Sequence, residues 1–220
     1  MGRSKIVVVF DIDGTLTPIR SAWSYVHWVL NTRSRSASYR NLFFQGLISY
    51  DEWVVLDLQL WKGLSYSVFK SILCSIPWRK GTELLRDLRR KYRGDVVFVA
   101  ITGGFNEMCR RVIEELEFDA CKGTEIDVRN GKLTGLALDY VPLDGKVDAL
   151  KELLEELNVE PRAIVSIGDS VNDVPLFEVS NISIAFCCDE DVASKATLSI
   201  RTCSMRELVK VLTKILESIV

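Results

Sequence analysis

The feature that most constrains the fold is a set of four short apolar runs, rich in β-branched residues and free of polar alternation. They cover residues 5–10, 96–101, 163–167 and 182–186. Such runs are typical of strands buried on both faces of a parallel sheet. Helical patterns accompany them at residues 83–92, 106–116, 147–157 and 204–219. This alternation predicts an α/β fold with a central parallel sheet.

Two segments depart from the alternation. Residues 124–141 hold Asn130-Gly131 between two short β-type runs, which predicts a hairpin. Residues 17–79 separate the first two strands, contain all five tryptophans and carry seven basic and three acidic residues. We predict a helical, basic, inserted subdomain there, with a loop over residues 31–38. Residues 1–16 and 80–220 then form the α/β core.

Composition excludes several classes of protein. A chain of 220 residues can bury a full core without disulfides or a structural metal. The net charge of −2 gives no electrostatic footprint for nucleic acid. No apolar stretch reaches the ~18 residues of a membrane span, and the run before Asp11 is shorter than a signal-peptide core. We therefore expect a cytoplasmic protein with no nucleic-acid or membrane partner.

The cysteines and the single histidine narrow the chemistry further. The six cysteines show no CxxC spacing, so we expect reduced, mostly buried thiols. One histidine, His27, excludes a zinc site built from several imidazoles. We expect His27 to be packed or exposed in the inserted segment rather than catalytic. Carboxylates, lysine, hydroxyls and backbone amides are left to carry any catalysis.

Two carboxylates follow the first predicted strand directly, Asp11 and Asp13 in the sequence Asp-Ile-Asp-Gly-Thr. Charge at the end of a buried strand is unfavourable unless it is paired or binds a metal ion. Ligands of open α/β sheets bind at the carboxyl ends of the strands. The pair therefore indicates a site, although a turn with two solvated acids stays open as the simpler interpretation.

Three further groups occupy comparable positions. Residues 102–104 (Thr-Gly-Gly) follow the second strand and precede a helix, where a hydroxyl and free amides favour an anion. Lys146 begins a helix, where its charge opposes the helix dipole unless an anion is near. Residues 168–173 (Gly-Asp-Ser-Val-Asn-Asp) place two more carboxylates at a strand end, with the hard oxygen ligands that suit Mg²⁺. Taken alone, residues 102–104 can be a simple turn and Lys146 a solvated surface lysine.

Together and in this order, the four groups resemble the motifs of the haloacid dehalogenase (HAD) superfamily of phosphohydrolases. The matching residues are Asp11, Asp13 and Thr15, then Thr102, then Lys146, and finally Asp169 with Asp173. The resemblance extends from Lys5 to about Ile200 and narrows to the phosphoserine phosphatase-like branch. It implies a three-layer Rossmann-like core with a helical C1-type cap at residues 17–79.

The resemblance also implies a mechanism, that of a Mg²⁺-dependent phosphomonoesterase acting on a small phosphorylated metabolite. Asp11 would attack phosphorus and form an aspartyl-phosphate. Asp13 would protonate the leaving oxygen and then deprotonate water. Asp11, the Asp13 carbonyl and Asp169 would hold Mg²⁺, with Asp173 in support.

The resemblance assigns the remaining motif residues to binding. Thr102, the Gly103 amide and Lys146 would hold the phosphoryl oxygens in the transition state. Asn172 would orient Lys146 or the substrate phosphate. The full set expected to contact substrate beside the catalytic residues comprises Thr15, Gly103, Gly104, Asn172 and Arg20.

Two positions depart from the phosphoserine branch. That branch carries an acidic residue nine positions after the nucleophile, for the substrate ammonium, and this chain has Arg20 there. That branch also has an arginine in the cap that binds the substrate carboxylate. In an ungapped alignment from Gly46, Val55 occupies the position of that arginine. Because an arginine repels an ammonium, we expect phosphoserine to be a poor substrate. A leaving group with extra negative charge or hydroxyls fits better, with Trp23 and Trp28 either lining the pocket or forming the core of the cap.

Two other functions stay open. A phosphotransferase would use the same residues with an acceptor other than water. A non-catalytic, phosphate-responsive regulatory module also combines an aspartate, a threonine and a lysine on a parallel sheet. Receiver domains of that kind are about half this length and have no cap, and a pure binding protein needs no acid–base residue such as Asp13.

Overall fold

The computed structural model describes residues 3–220, with a seven-stranded sheet at the centre. The strands are β1 (Arg3–Phe10), β2 (Val96–Phe105), β3 (Ala120–Arg129), β4 (Lys132–Asp139), β5 (Val159–Gly168), β6 (Ile182–Phe186) and β7 (Leu198–Ile200). Their order in the sheet is β4-β3-β2-β1-β5-β6-β7, and only the β3–β4 hairpin is antiparallel. The predicted α/β fold and hairpin are confirmed. β7 was not predicted, because a three-residue strand is too short for a recognisable apolar run.

Ten helices accompany the strands within the described residues. They are α1 (Ala22–Val29), α2 (Arg33–Phe44), α3 (Tyr50–Gln59), α4 (Tyr66–Cys74), α5 (Glu83–Lys91), α6 (Asn106–Leu116), α7 (Lys146–Glu156), α8 (Val174–Val179), α9 (Glu190–Ala193) and α10 (Met205–Ile219). Among residues 3–220, none of these helices combines the length and the apolar character that crossing a bilayer requires. Helices α1 to α5 lie between β1 and β2, and α1 to α4 lie within residues 17–79.

The loop predicted over residues 31–38 is wrong, because α2 begins at Arg33. None of the residues of α2 is buried. The helix therefore has no apolar periodicity that sequence inspection could recognise. Its arginines and alanine are favourable helix formers, and it packs beside α3.

Alternate side chains of β1 point into two apolar cores on opposite faces of the sheet. Ile6, Val8 and Phe10 pack with buried residues of α5, α6 and α10. Val7 and Val9 pack with buried residues of α7 and α8. The result is a three-layer arrangement, in which burial on both faces explains why the β1 sequence shows no polar alternation.

The inserted helices are fixed to the β3–β4 hairpin by backbone hydrogen bonds. The N–H of Gly63 donates to the carbonyl of Leu133 at 2.8 Å, and the N–H of Leu133 donates to the carbonyl of Leu64 at 2.9 Å. Trp61 is buried and belongs to the same apolar cluster as Phe105 of β2. The inserted segment is thereby held over the carboxyl end of β2. The division into a core and a cap with the predicted boundaries stays a prediction.

Four of the six cysteines pair, contrary to the expectation of reduced thiols. Cys109 on α6 bonds Cys121 on β3, and Cys187 after β6 bonds Cys203 before α10. The Cα atoms of the two pairs are 5.2 and 4.7 Å apart. These pairings follow from tertiary packing between separate elements, which spacing along the chain does not reveal.

Candidate active site

The structure brings the four predicted motifs together at the carboxyl ends of neighbouring strands. β2, β1 and β5 are adjacent in the sheet. Asp11 follows β1, Thr102 lies near the end of β2, Asp169 follows β5, and Lys146 is the first residue of α7. All four side chains are buried. Asp11, Thr102 and Lys146 line one cavity of about 450 Å³, which opens between these strand ends and the inserted helices.

Lys146 is the central cation of the cluster. Its Nζ lies 2.5 Å from Oδ1 of Asp11 and 2.6 Å from Oδ1 of Asp173. Burial alone would lower the pKa of Lys146, but the two carboxylates hold it above its ordinary value. A lysine at the start of a helix was expected to have an anion nearby. In the structure, the carboxylates of Asp11 and Asp173 provide that negative charge. Contact between Lys146 and a phosphoryl oxygen stays a prediction.

Asp173 fastens the segment that follows β5. Its Oδ2 accepts hydrogen bonds from the backbone N–H groups of Asp169 and Ser170, each at 3.0 Å, and from the Ser170 hydroxyl at 3.1 Å. A side chain at Gly168 would meet the Asp173 carboxylate at 2.2 Å, so glycine is required there. Both oxygens of Asp173 are therefore in use. This favours its predicted supporting role beside the metal.

The turn after β1 is shaped to receive Asp169. Gly14 has φ +88°, and a Cβ at this residue would lie 2.2 Å from Oδ2 of Asp169. The Thr15 hydroxyl donates to Oδ1 of Asp169 at 3.3 Å. Arg79 holds the turn from the other side, because Nη2 donates to the Gly14 carbonyl at 2.6 Å and Nε to the Thr15 carbonyl at 3.0 Å. Nothing in the sequence pattern indicated this role for Arg79.

The grouping of carboxylates fits a divalent cation. Oxygen atoms of Asp11, Asp169 and Asp173 all lie within 4.8 Å of one another. Oδ2 of Asp11 is buried and has no hydrogen-bond partner among the described residues. Burial raises the pKa of Asp11 well above its ordinary value, and burial followed by repulsion from Asp173 raises the pKa of Asp169 to about 7. A bound cation would restore the ionised state of both, so the residues present suit Mg²⁺.

Asp13 differs from the other carboxylates. Its Oδ2 accepts a hydrogen bond from the backbone N–H of Ala22 at 2.8 Å, which ties it to the start of α1. Its Oδ1 is buried without a partner in the described part of the chain. Burial raises the pKa of Asp13 to about 6, and the Ala22 hydrogen bond opposes this shift. A carboxyl with this pKa can give and take a proton near neutral pH, as an acid–base catalyst must.

Residues 102–104 lie inside β2, which continues to Phe105, with a shift in its pairing to β3 between Ile101 and Phe105. The N–H of Gly104 donates to the Thr102 hydroxyl at 2.8 Å. A Cβ at Gly104 would lie 2.9 Å from Oδ2 of Asp13. Helix α6 begins at Asn106, the predicted position. Binding of phosphoryl oxygens by Thr102 and the Gly103 amide stays a prediction.

Two predicted binding residues line the open side of the cavity. Asn172 faces it from the turn after β5. Arg20 also lines it, and its Nη1 forms an ion pair of 3.3 Å with the exposed Asp189. Asp11 therefore has Lys146 as its close cationic partner, and Arg20 lies at the rim. Val55, where the ungapped placement puts the cap arginine position, is exposed and does not line the cavity.

The tryptophans of the inserted segment play different parts. Trp23 lines the cavity, and its Nε1 donates to the Gly103 carbonyl at 2.9 Å. Trp28 is 59% exposed and does not line the cavity, so the suggestion that both face one pocket is wrong. Trp61 stacks on Trp23 with ring centroids 5.5 Å apart. The aromatic group therefore serves both as cavity wall and as core.

His27 is packed inside the inserted segment. This is one of the two placements, packed or exposed, that we expected from the sequence. Its Nδ1 lies 2.7 Å from the Thr32 hydroxyl, and its Nε2 lies 3.3 Å from Oδ1 of Asp57. Both His27 and Asp57 are buried and line the cavity. Sequence reasoning missed Asp57, because a single acid in an unassigned segment carries no recognisable pattern.

Most of the other lining residues that sequence reasoning missed belong to α2 and α3. From α2 the cavity receives Arg33, Ser36, Ala37 and Arg40, and from α3 it receives Tyr50, Trp53, Val54 and Asp57. The four lining residues of α2 recur at helical spacing. This signal was hidden because the first part of α2 was predicted to be a loop.

Comparison with known proteins gives a consistent family. A sequence model of the haloacid dehalogenase-like hydrolases matches residues 8–178. The chain is 30% identical over 216 residues to a phosphoserine phosphatase of Streptococcus thermophilus, covering 98% of this chain and 99% of that protein. It is 28% identical over 207 residues to a phosphoserine phosphatase of Archaeoglobus fulgidus, covering 90% of this chain but 57% of that protein.

A solved structure described as a phospho-aspartyl intermediate analogue of phosphoserine phosphatase has a similar fold. It superposes with a TM-score of 0.77 at 22% sequence identity, covering 94% of this chain and 99% of that one. The likeness extends over both the sheet and the inserted helices.

Proposed function

We propose that this chain, which belongs to the haloacid dehalogenase-like hydrolase family and is a phosphatase of the phosphoserine phosphatase-like type, hydrolyses the monoester of a small phosphorylated metabolite through Asp11. The observation that carries the proposal is the state of the Asp11 carboxylate. Lys146 holds one oxygen, the other is buried and unpartnered among the described residues, and Asp11 as a residue lines the cavity. A free carboxylate oxygen held in this way is suited to nucleophilic attack.

In the first step Asp11 attacks phosphorus, and the bond between phosphorus and the leaving oxygen breaks. Asp13 gives its proton to that oxygen, which departs as an alcohol. The raised pKa of Asp13, about 6, keeps part of its population protonated near neutral pH. Its hydrogen bond from the N–H of Ala22 places this acid on the cap side of the cavity, where the leaving group would lie.

In the second step water attacks the aspartyl-phosphate, and the bond between phosphorus and Asp11 breaks. Asp13, now ionised, takes the proton from the water. Lys146, Thr102 and the Gly103 amide would hold the phosphoryl oxygens. Mg²⁺ would be held by Asp11, the Asp13 carbonyl and Asp169, and would supply the positive charge that offsets repulsion between the carboxylate and the phosphate.

The test is hydrolysis of p-nitrophenyl phosphate by the full chain. We expect turnover with Mg²⁺, loss of turnover with EDTA and its return when Mg²⁺ is restored. When the phosphoryl group of the substrate is radiolabelled, the label should stay on the wild-type protein after an acid quench. Hydroxylamine should then release it, as from any acyl phosphate. The Asp11→Asn variant should show neither turnover nor label.

A matched control is Asp148→Asn, which removes an exposed aspartate of α7. It should behave like wild type. Label retained by Asp11→Asn, or turnover that persists in EDTA, would refute the proposal. Addition of an alcohol during turnover separates hydrolysis from phosphoryl transfer, because a phosphotransferase would make a new monoester in preference to inorganic phosphate.

A further inference from the structure

One face of α2 forms a wall of the active-site cavity, and it carries two arginines. Arg33, Ser36, Ala37 and Arg40 line the cavity. Their spacing of three, four and seven residues places them on a single face of the helix. The inward face of a helix in a globular protein is normally apolar, yet this one is polar and none of its residues is buried. The face is therefore open to whatever occupies the cavity.

The charges of Arg33 and Arg40 are not neutralised by the protein. Helix α2 contains no acidic residue. Among the residues that the structure describes, neither arginine has a carboxylate within ion-pair distance, whereas Arg20 pairs with Asp189 at 3.3 Å. The one carboxylate on the inserted part of the wall, Asp57, lies 3.3 Å from His27. The part of the cavity wall that the inserted segment forms thus carries excess positive charge.

The cavity also extends well beyond a single phosphate. Its volume of about 450 Å³ lies within the range of about 300–1,000 Å³ of sites that hold whole small molecules. Asp11 and Lys146 line this cavity, and so do the four residues of the α2 face. The aromatic side chains of Trp23 and Trp53 contribute further wall. An occupant with a phosphate at Asp11 therefore has room for several more atoms.

We infer that Arg33 and Arg40 select phosphomonoesters whose leaving group carries a second anionic group, a phosphate or a carboxylate. The inference rests on the proposed function, since it takes the first phosphate to be held at Asp11. Guanidinium groups bind both kinds of anion through paired N–H donors. At about 1.5 Å of rise per residue, the two arginines are about 10 Å apart along the helix axis, so their long side chains can converge on one group between them.

The test uses a series of alkanediol monophosphates of graded length, in which the far end is a hydroxyl, a carboxylate or a second phosphate. The measured quantity is selectivity, the ratio of kcat/KM for the charged member to that for the hydroxyl member of equal length, corrected for the two equivalent esters of a bisphosphate. We expect wild-type selectivity of about 10 or more for at least one length. The better of the carboxylate and phosphate arms identifies the second anion.

The double variant Arg33→Ala, Arg40→Ala should lose most of this selectivity, a fall of about 10-fold. Replacement of both arginines by lysine should retain part of it, because the charge remains while the paired donors do not. Arg35→Ala is the matched control, since Arg35 is on the same helix and does not line the cavity. It should keep the wild-type ratio.

The outcomes separate this inference from the proposed function. If the wild type hydrolyses the monoesters without selectivity, or if Arg35→Ala loses as much selectivity as the double variant, the inference is wrong and the proposed function stands. If no monoester is hydrolysed, the proposed function fails. Calorimetric binding of the same compounds to the Asp11→Asn protein then decides the inference, since tighter binding of the doubly anionic members must depend on Arg33 and Arg40.

Discussion

The Nζ of Lys146 lies 2.5 Å from Oδ1 of Asp11, and both side chains are almost completely buried. The contact joins the first residue of α7 to the residue that follows β1, 135 positions away in the chain. Oδ2 of Asp11, the proposed attacking atom, has no hydrogen-bond partner among the described residues. One ion pair therefore both orients the proposed nucleophile and compensates its charge.

Replacement of Lys146 by methionine should impair folding and activity together. It leaves the carboxylates of Asp11 and Asp173 buried without their cation, which costs about 3–5 kcal/mol when one partner of a buried pair is lost. We expect turnover to fall at least about 100-fold, as when a transition-state donor is removed. Urea unfolding and p-nitrophenyl phosphate hydrolysis measure the two effects. The control Lys151→Met breaks only an exposed pair with Asp148 and should cost less than about 1 kcal/mol.

Replacement of Asp13 by asparagine should slow the reaction according to the leaving group. Asparagine keeps an oxygen for the Ala22 N–H but cannot donate a carboxyl proton. For alkyl phosphates, whose leaving oxygen needs that proton, we expect kcat to fall about 10²–10⁴-fold. The loss should be much smaller for the first step with p-nitrophenyl phosphate, because p-nitrophenolate departs without protonation. Equal losses for the two esters in burst kinetics would contradict the role of Asp13.

Gly14→Ala should weaken metal binding specifically. The new Cβ would overlap the Asp169 carboxylate, whose Oδ2 is 2.2 Å from its position, and φ is +88°. We expect the Mg²⁺ concentration for half-maximal activity to rise at least about 10-fold, because the Asp169 carboxylate must move. Gly46→Ala is the control, with φ +70° and nothing within 4 Å. It should lose about 1 kcal/mol of stability from strain and keep the wild-type Mg²⁺ dependence.

The stabilisation by Mg²⁺ should grow as the pH rises. Burial, then repulsion from Asp173, raises the pKa of Asp169 from 3.8 to about 7. The metal-free protein therefore gains stability from this group below pH 3.8, its unfolded pKa, and loses that gain as the pH rises through about 7. Mg²⁺ binds the ionised form, so the rise in Tm on adding Mg²⁺ should be larger at about pH 8 than at about pH 5.

The same measurement on Asp169→Asn provides the control. The variant lacks the titrating ligand, so its Tm should respond weakly to Mg²⁺ at both pH values. A wild-type response that stays constant between the two pH values would show that Asp169 does not titrate with metal binding.

The sequence allowed the sheet and the motif residues to be predicted, because both depend on local patterns. The β1 run has no polar alternation, and Asp11 stands at its end. The structure of the inserted segment was harder to predict. Helix α2 has no buried residue, and the prediction of a loop there was wrong. The long-range contacts could not be predicted from the sequence either. The hydrogen bonds of Arg79 to the Gly14 and Thr15 carbonyls join residues more than 60 positions apart and follow only from the folded chain.

Phosphoserine should be a poor substrate of the wild-type protein, and Arg20→Glu should improve it. Arg20 lines the cavity, and its charge would repel the ammonium of a phosphoserine bound there. Glutamate reverses that interaction. It also loses the ion pair with Asp189, but both partners are exposed, so this loss is worth less than about 1 kcal/mol. We expect kcat/KM for phosphoserine to rise about 3–10-fold, and Lys70→Glu, with the same charge change away from the cavity, to leave it unchanged. Phosphoserine as the preferred wild-type substrate in a panel of monoesters would overturn this assignment of Arg20.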